Sequence, residues 1–179
     1  MIINKKLDEL KIEEGKLTLK EFKDLSSLFK KVFKKKFSPE FLNWYYFLNP
    51  CGTAITYNAY YQSNIIGHYA LIPIKIKIFE KEFDAALSVF TAIDENFRGL
   101  YLFNELANKS FDLAKKKGIK FIIGVSNQIS TKLFVRYFKF KLISQLDVKF
   151  GFGKINKFNN DCNFKVLWND KSLSWRLKN

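Results

Sequence analysis

The stretch Ala92 to Phe111, AIDENFRGLYLFNELANKSF, decides the fold. Acidic and amide side chains run into Arg98-Gly99, and a helical pattern begins there. Phe103, Leu106, Ala107, Phe111 and Ala114 share one helical face, and Asn104, Asn108, Lys109 and Asp112 share another. Gly118, behind three lysines, ends the pattern as a left-handed cap. An arginine and a glycine where a helix starts have two readings. Gly99 is a joint and Arg98 is solvated, or the helix opens on an anion. In the second case the first N–H groups lack intrahelical partners, the dipole is positive there, and Arg98 adds a fork of donors.

Working outward, FDAALSVFTAID ahead of this stretch reads as a strand, and IKFIIGV after the helix reads as another. A helical crossover joins them, so they should lie parallel. Upstream, TAITYNAYY and IIGHYALIPIKIKIF are β-rich, with turns at QSN and EKE. Ile74, Ile76 and Ile78 alternate with Lys75 and Lys77, which marks a half-exposed strand. These strands form an antiparallel meander. Lys20 to Lys36 is predicted as a helix from the stripe Phe22, Leu25, Phe29, Val32, Phe33. Ser38-Pro39-Glu40 opens a second helix with a serine cap and a first-turn proline. Asn127 to Tyr137 reads as a short helix, and FKLISQLDVKFGFG as the last strand. The fold class is α/β, a mixed sheet with helices packed on it.

The chain has 179 residues, 47% of them hydrophobic, which suits one domain with a real core. Cys51 and Cys162 stand alone beside a single histidine, so no zinc arrangement or disulfide framework is expected. A reducing, cytoplasmic setting follows. Neither a signal peptide nor a membrane span is legible. The net charge is +14, with lysines clustered at Lys30, Lys31, Lys34, Lys35 and Lys36 and at Lys115, Lys116 and Lys117. Such a balance attracts nucleic acid, acidic lipid or phosphate-bearing small molecules. Both clusters fall at C-terminal ends of predicted helices, where cations suit the dipole. No zinc finger or RNP aromatic pair supports nucleic acid as the partner.

SVFTAIDENFRGLYLF, ahead of an amphipathic helix and IKFIIGV, resembles the acyl-CoA binding core of the GNAT acyltransferase superfamily. There a strand runs into an Arg/Gln-x-x-Gly-x-Gly/Ala turn whose amides hold the CoA pyrophosphate. IIGHYALIPIKI, SNQISTKLFVRYFKF and FLNWYYFLNP are similar to segments of a bacterial branch. The resemblance covers about Leu17 to Phe150. It implies a GNAT-like central mixed sheet flanked by helices, and transfer of an acetyl or other acyl group from acetyl-CoA to a small primary amine, without a metal. The strand ending at Asp94 and the strand IKFIIGV would splay apart around the pantetheine arm. Thr91, Ala92, Ile93, Arg98, Gly99, Leu100, Tyr101, Leu102, Phe103, Asn127 and Phe134 are then the cofactor-binding set. Trp44 and Tyr69 would face the substrate. The branch suggests an amino sugar of surface polysaccharide synthesis as acceptor.

Asp94 and His68 are the candidate proton acceptors. Each has a bland reading beside this one. Asp94 could cap a helix, and His68 shares strand parity with Ile66, Ala70 and Ile72 and could be a hydrogen-bonded core residue. Asn127 could equally be an N-cap. Tyr101 and Phe103 stand where the family uses small residues. Val135 stands where many members have a tyrosine, Lys139 replaces a glycine, and Phe90 stands where the branch often has an acid. A catalytically silent CoA-binding or scaffold domain is the alternative, and a basic nucleic-acid binder the third reading.

Residues 1–153 read as the acyltransferase domain. Residues 154–179 read as a tail, a partial second unit or dimer arm. Its LSWRLKN echoes LNWYYFLNP through a shared Leu-x-Trp. A helix near Ser172 would need an apolar surface, its own chain's or a second copy's.

Overall fold

A computed structural model describes residues 9–99, 101–144 and 163–177. The described chain begins with a strand absent from the sequence reading, β1 (Leu10–Glu14). Gly15 closes it, donating to the Thr56 carbonyl at 2.8 Å, and a Cβ there would collide with the Thr56 side chain. Helix α1 (Leu19–Phe33) starts on Thr18, whose hydroxyl accepts the Glu21 N–H, and stops at Lys34, which turns left-handed at φ 57°. The expected helix ran on to Lys36, but lysine carries no signal for that turn. Helix α2 (Pro39–Tyr46) begins as read, with the Ser38 hydroxyl accepting the Phe41 N–H at 3.1 Å and Pro39 in the first turn.

Three antiparallel strands follow: β2 (Ile55–Tyr61), β3 (Asn64–Ile78) and β4 (Lys81–Ile93). The β2–β3 link is a two-residue turn with positive φ at both Gln62 and Ser63, the twist that suits a tight hairpin. Helix α3 (Leu102–Lys116) ends as the sequence indicates. Gly118 takes φ +82° and donates to the Lys115 carbonyl, while Ile119 donates to that of Ala114. That pair of bonds is a Schellman closure. Strand β5 (Phe121–Gly124) pairs parallel with β4, as expected of a crossover. Helix α4 (Gln128–Phe138) is capped by Asn127.

The sheet runs β1-β2-β3-β4-β5. The region read as the last strand has no strand over Phe140 to Ser144, and its remainder lies outside the described residues. Another strand, β6 (Phe164–Val166), pairs with the far half of β3 instead. It leads to α5 (Asp170–Leu177), the helix expected near Ser172.

Apolar side chains fill both faces of the sheet. One layer joins α1 and α2 to Ile65, Ala70 and Ile72 through Phe22, Leu25, Phe29, Leu42, Trp44 and Tyr46. The other joins α3 and α4 to Ile55, Tyr69 and Leu71 through Leu102, Leu106, Ala107 and Phe134. Rings dominate both layers, where edge-to-face contacts add to area burial. No described helix is long and apolar enough to cross a membrane.

Candidate active site

The site starts from an irregularity in β4. His68 pairs with Ala92 and Ala70 with Val89, so β4 carries one extra residue there. Phe90 takes it up with φ 49°. That is a β-bulge, and it bends the strand. The β4–β5 ladder runs from Ala85–Phe121 to Ser88–Gly124 and stops, whereas β4 continues to Ile93. The stretch Val89 to Ile93, which includes Thr91, Ala92 and Ile93, therefore has no β5 partner among the described residues. Backbone donors and acceptors along such an edge are available to an extended ligand.

At the end of β4, Asp94 caps a single 3-10 turn, Glu95–Phe97, accepting the Asn96 N–H at 3.0 Å. Arg98 is extended and Gly99 takes φ +81°. A Cβ on Gly99 would meet nothing within 4 Å, so the glycine serves conformation rather than space. Leu100 lies outside the described residues. Tyr101 is also left-handed, at φ 58°, and makes no side-chain cap. Its carbonyl accepts the Glu105 N–H at 3.1 Å and starts the helix. The N–H groups of Leu102, Phe103 and Asn104 thus precede the first intrahelical donor. The Tyr101 ring is 78% exposed, so its bulk is turned to solvent. Its backbone adopts the geometry for which glycine is the usual choice. Leu102 is buried, and Phe103 packs on Phe134 at 5.5 Å and Phe138 at 5.4 Å, which fixes the first turn of α3 against α4.

Asp94 and His68, the two candidate proton acceptors, have opposite surroundings. Lys31 reaches from α1 to within 2.6 Å of the Asp94 carboxylate. Burial pushes the Asp94 carboxyl up, but the Lys31 hydrogen bond, the Asn96 amide and the Lys31 and Arg98 charges outweigh it and hold it below its usual range. Asp94 is therefore ionised and both a cap and an ion-pair partner. His68 is wholly enclosed, with Nδ1 2.6 Å from the Asn58 Oδ1 and Nε2 2.9 Å from the Tyr46 hydroxyl. Asn58 accepts, so Nδ1 carries the proton and Nε2 receives the hydroxyl. Tyr46 stacks on one side of the ring and Phe29 stands edge-on. Desolvation lowers its pKa to about 3. Of the two readings of His68, these surroundings are those of the core residue.

Of the other candidates, Tyr69, Phe134 and Trp44 are buried, and Asn127 is exposed. Tyr69 is buried beneath α3, between Phe103 and Phe111, with its hydroxyl 2.7 Å from Ser88 Oγ. Burial pushes that phenol up, against the Ser88 bond. Phe134 is 8% exposed within the α3–α4 aromatic layer. Asn127 spends its side-chain oxygen on the Ser130 N–H at 2.9 Å. Trp44 is covered by Trp175 of α5, rings stacked at 4.8 Å. Each indole N–H donates to the other's backbone carbonyl at 3.2 Å. The apolar surface that the tail helix needs is thus in its own chain.

The parting of β4 from β5 was expected, but the pair at which it opens, Ser88–Gly124, and the bulge at Phe90 were not. Phe90 looks like any strand phenylalanine, yet it stacks on Phe29 at 5.3 Å and meets Phe37 edge-on at 4.9 Å. A cavity of about 400 Å³ near Phe111, Ala114 and Ile122 adjoins the other end of α3. That is about 20 Å from the turn by helix rise.

The sequence over residues 15–137 matches the acetyltransferase (GNAT) domain family. The fold is shared with solved acetyltransferases. An aminoglycoside acetyltransferase, meta-AAC0020, from an uncultured soil metagenomic sample is 19% identical, with a TM-score of 0.56 over 83% of this chain and 98% of that one. An acetyltransferase from Trypanosoma brucei is 15% identical, with a TM-score of 0.63 over 79% and 99%. Glucosamine-6-phosphate N-acetyltransferase from Arabidopsis thaliana is 12% identical, with a TM-score of 0.57 over 79% and 99%. No curated protein matches the sequence.

Proposed function

The chain belongs to the acetyltransferase (GNAT) domain family, and we propose that it moves an acetyl group from acetyl-CoA to the primary amine of a small molecule, an amino sugar being the acceptor class in view. The observation that carries this reading is the fork at Ser88–Gly124, with an uncapped helix N-terminus beyond the free end of β4. The residues present fit a diphosphate-bearing donor. Arg98 and the N–H groups of Leu102, Phe103 and Asn104 offer donors to an anion. The unpaired edge Val89–Ile93 offers a ladder to an extended arm. Acetyl-CoA supplies an acyl group on a thioester, and the amine nitrogen takes it as the carbon–sulfur bond breaks and the nitrogen loses a proton.

The chain's own contribution is positioning. Phe103 and Leu102 fix the helix start, the bulge at Phe90 aims the β4 edge, and both act before any bond changes. Asp94 stands where β4 ends and takes the amine's proton through water, whereas His68 holds Tyr46 and Asn58 in register. Val135 is 44% exposed and offers no acidic proton, so the departing sulfur takes its proton from solvent. Residues 1–153 form the acyltransferase unit in this reading, and the tail buttresses it through Trp44.

Calorimetry with CoA and a thiol-release assay test the proposal. Arg98→Ala should weaken CoA binding about tenfold, the scale of one charge-assisted hydrogen bond. Unchanged binding would remove Arg98 from the site. Tight CoA binding without thiol release across an amine panel would favour the silent-domain alternative, for which the missing Val135 hydroxyl and the Phe90 substitution speak.

A further inference from the structure

The face of the sheet opposite α3 carries a second feature, and it bears on the acceptor. A donor anchored at the N-terminus of α3 approaches the fork from the α3 side. An amine must then reach the same gap from the other side, which α1, α2 and their link border. That side has an aromatic wall. Phe90 of the bulge is surrounded by Phe29, Phe33, Phe37, Phe41 and Tyr45 at 4.9 to 6.4 Å. The wall has a cationic border. Lys34, Lys35 and Lys36 are exposed along the link. Lys35 Nζ lies over the Phe37 ring at 5.3 Å, and the Arg176 guanidinium of α5 lies 5.7 Å from the Tyr45 ring.

Carboxylates do not balance these charges. Asp94 is already neutralised by Lys31. Glu40 is exposed and lies in the field of Lys23 and Lys36, and Glu95 faces solvent. The link itself is anchored, since the Ser26 hydroxyl donates to the Phe37 carbonyl at 2.5 Å. Lys35 is thereby kept near the wall, over the Phe37 ring. A polycationic amine would meet like charge at this border, and an amine bearing an anion would meet opposite charge.

We infer that the acceptor is an amine that also carries a phosphate-type anion, bound where the lysines of the α1–α2 link border the aromatic wall around Phe90. The inference rests on the acyltransferase reading of the fork. It takes the substrate class from charge, which that reading leaves open.

Matched probes test it on the full chain with CoA present: glucosamine, glucosamine 6-phosphate and a polycationic aminoglycoside. Equilibrium binding is read first, and thiol release with acetyl-CoA second. Glucosamine 6-phosphate should bind about tenfold or more tighter than glucosamine. The preference should shrink between about 0.05 and 0.5 M salt, as screening requires. Lys35→Gln with Lys36→Gln should reduce the preference for the phosphate form and leave CoA affinity unchanged. Equal binding of the two sugars, tighter binding of the aminoglycoside, or a preference untouched by the double substitution would overturn the inference while CoA binding stands. A chain that binds no CoA would overturn the acyltransferase reading, and this inference with it.

Discussion

Burial gives His68 a measurable signature. Its ring stays neutral to about pH 3 in the folded chain, whereas an unfolded histidine protonates near pH 6.5. The stabilisation is complete above about pH 6.5. It falls as pH drops, because the unfolded chain takes a proton that the folded one refuses. The slope is about 1.4 kcal/mol per pH unit between those limits. Urea denaturation between pH 7 and 4 should show it. His68→Gln should be less stable at pH 7, by about 2 kcal/mol for the lost buried bonds, yet lack that slope. A slope that persists in the variant would place the titration elsewhere. Lys31 makes the complementary prediction at Asp94. Lys31→Met removes the main counter-charge and hydrogen bond, so the Asp94 carboxyl rises. The acidic limb of the kcat/KM profile should then shift to higher pH. A limb that does not move would exclude Asp94 from proton transfer. The single histidine was visible in the sequence, but its surroundings were not. Asn58 and Tyr46 come from two other elements, so only tertiary structure brings them to the ring.

Elements with local signals were legible, and elements with distant partners were not. Ser38-Pro39 and the lysine run before Gly118 carry their own instructions, because caps and turns are decided within a few residues. Strand β1 gave no such signal. Its five residues pair with Tyr57 to Tyr61, more than 40 positions away. Strand β6 escaped for the same reason, since Val166 pairs with Ile76. The bulge at Phe90 is packed by rings of α1, α2 and their link, and the left-handed Tyr101 precedes the helix it begins. The tail helix was legible as an echo of Leu-x-Trp, but the reciprocal contact was not. Trp44 and Trp175 each donate to the other's carbonyl, a locally two-fold arrangement that joins α5 to α2. Trp175→Ala should cost about 3 kcal/mol in stability, a tryptophan's packing together with its hydrogen bond. A shift in urea midpoint checks this, and a loss below about 0.5 kcal/mol would mean that α5 does not hold this position in solution.

At the scale of the whole molecule, one sheet separates two chemistries. The α3 face ends in donors at Arg98 and the first turn of α3, and the α1–α2 face ends in rings and lysines. The β4–β5 ladder ends between them, at Ser88–Gly124. The family was legible through the order of its motifs along the chain, while the acceptor class proposed above was not, because that proposal rests on charges that only the fold gathers around Phe90. The proposal as a whole requires a diphosphate to sit on the backbone between Arg98 and Phe103. Amide chemical shifts recorded by nuclear magnetic resonance as CoA is added read that position directly. The largest shifts should fall on Gly99, Tyr101, Leu102 and Phe103, with a second group along Val89 to Ile93. Saturating CoA that leaves those amides unmoved, or that shifts a separate region such as the α3–β5 cavity, would contradict it.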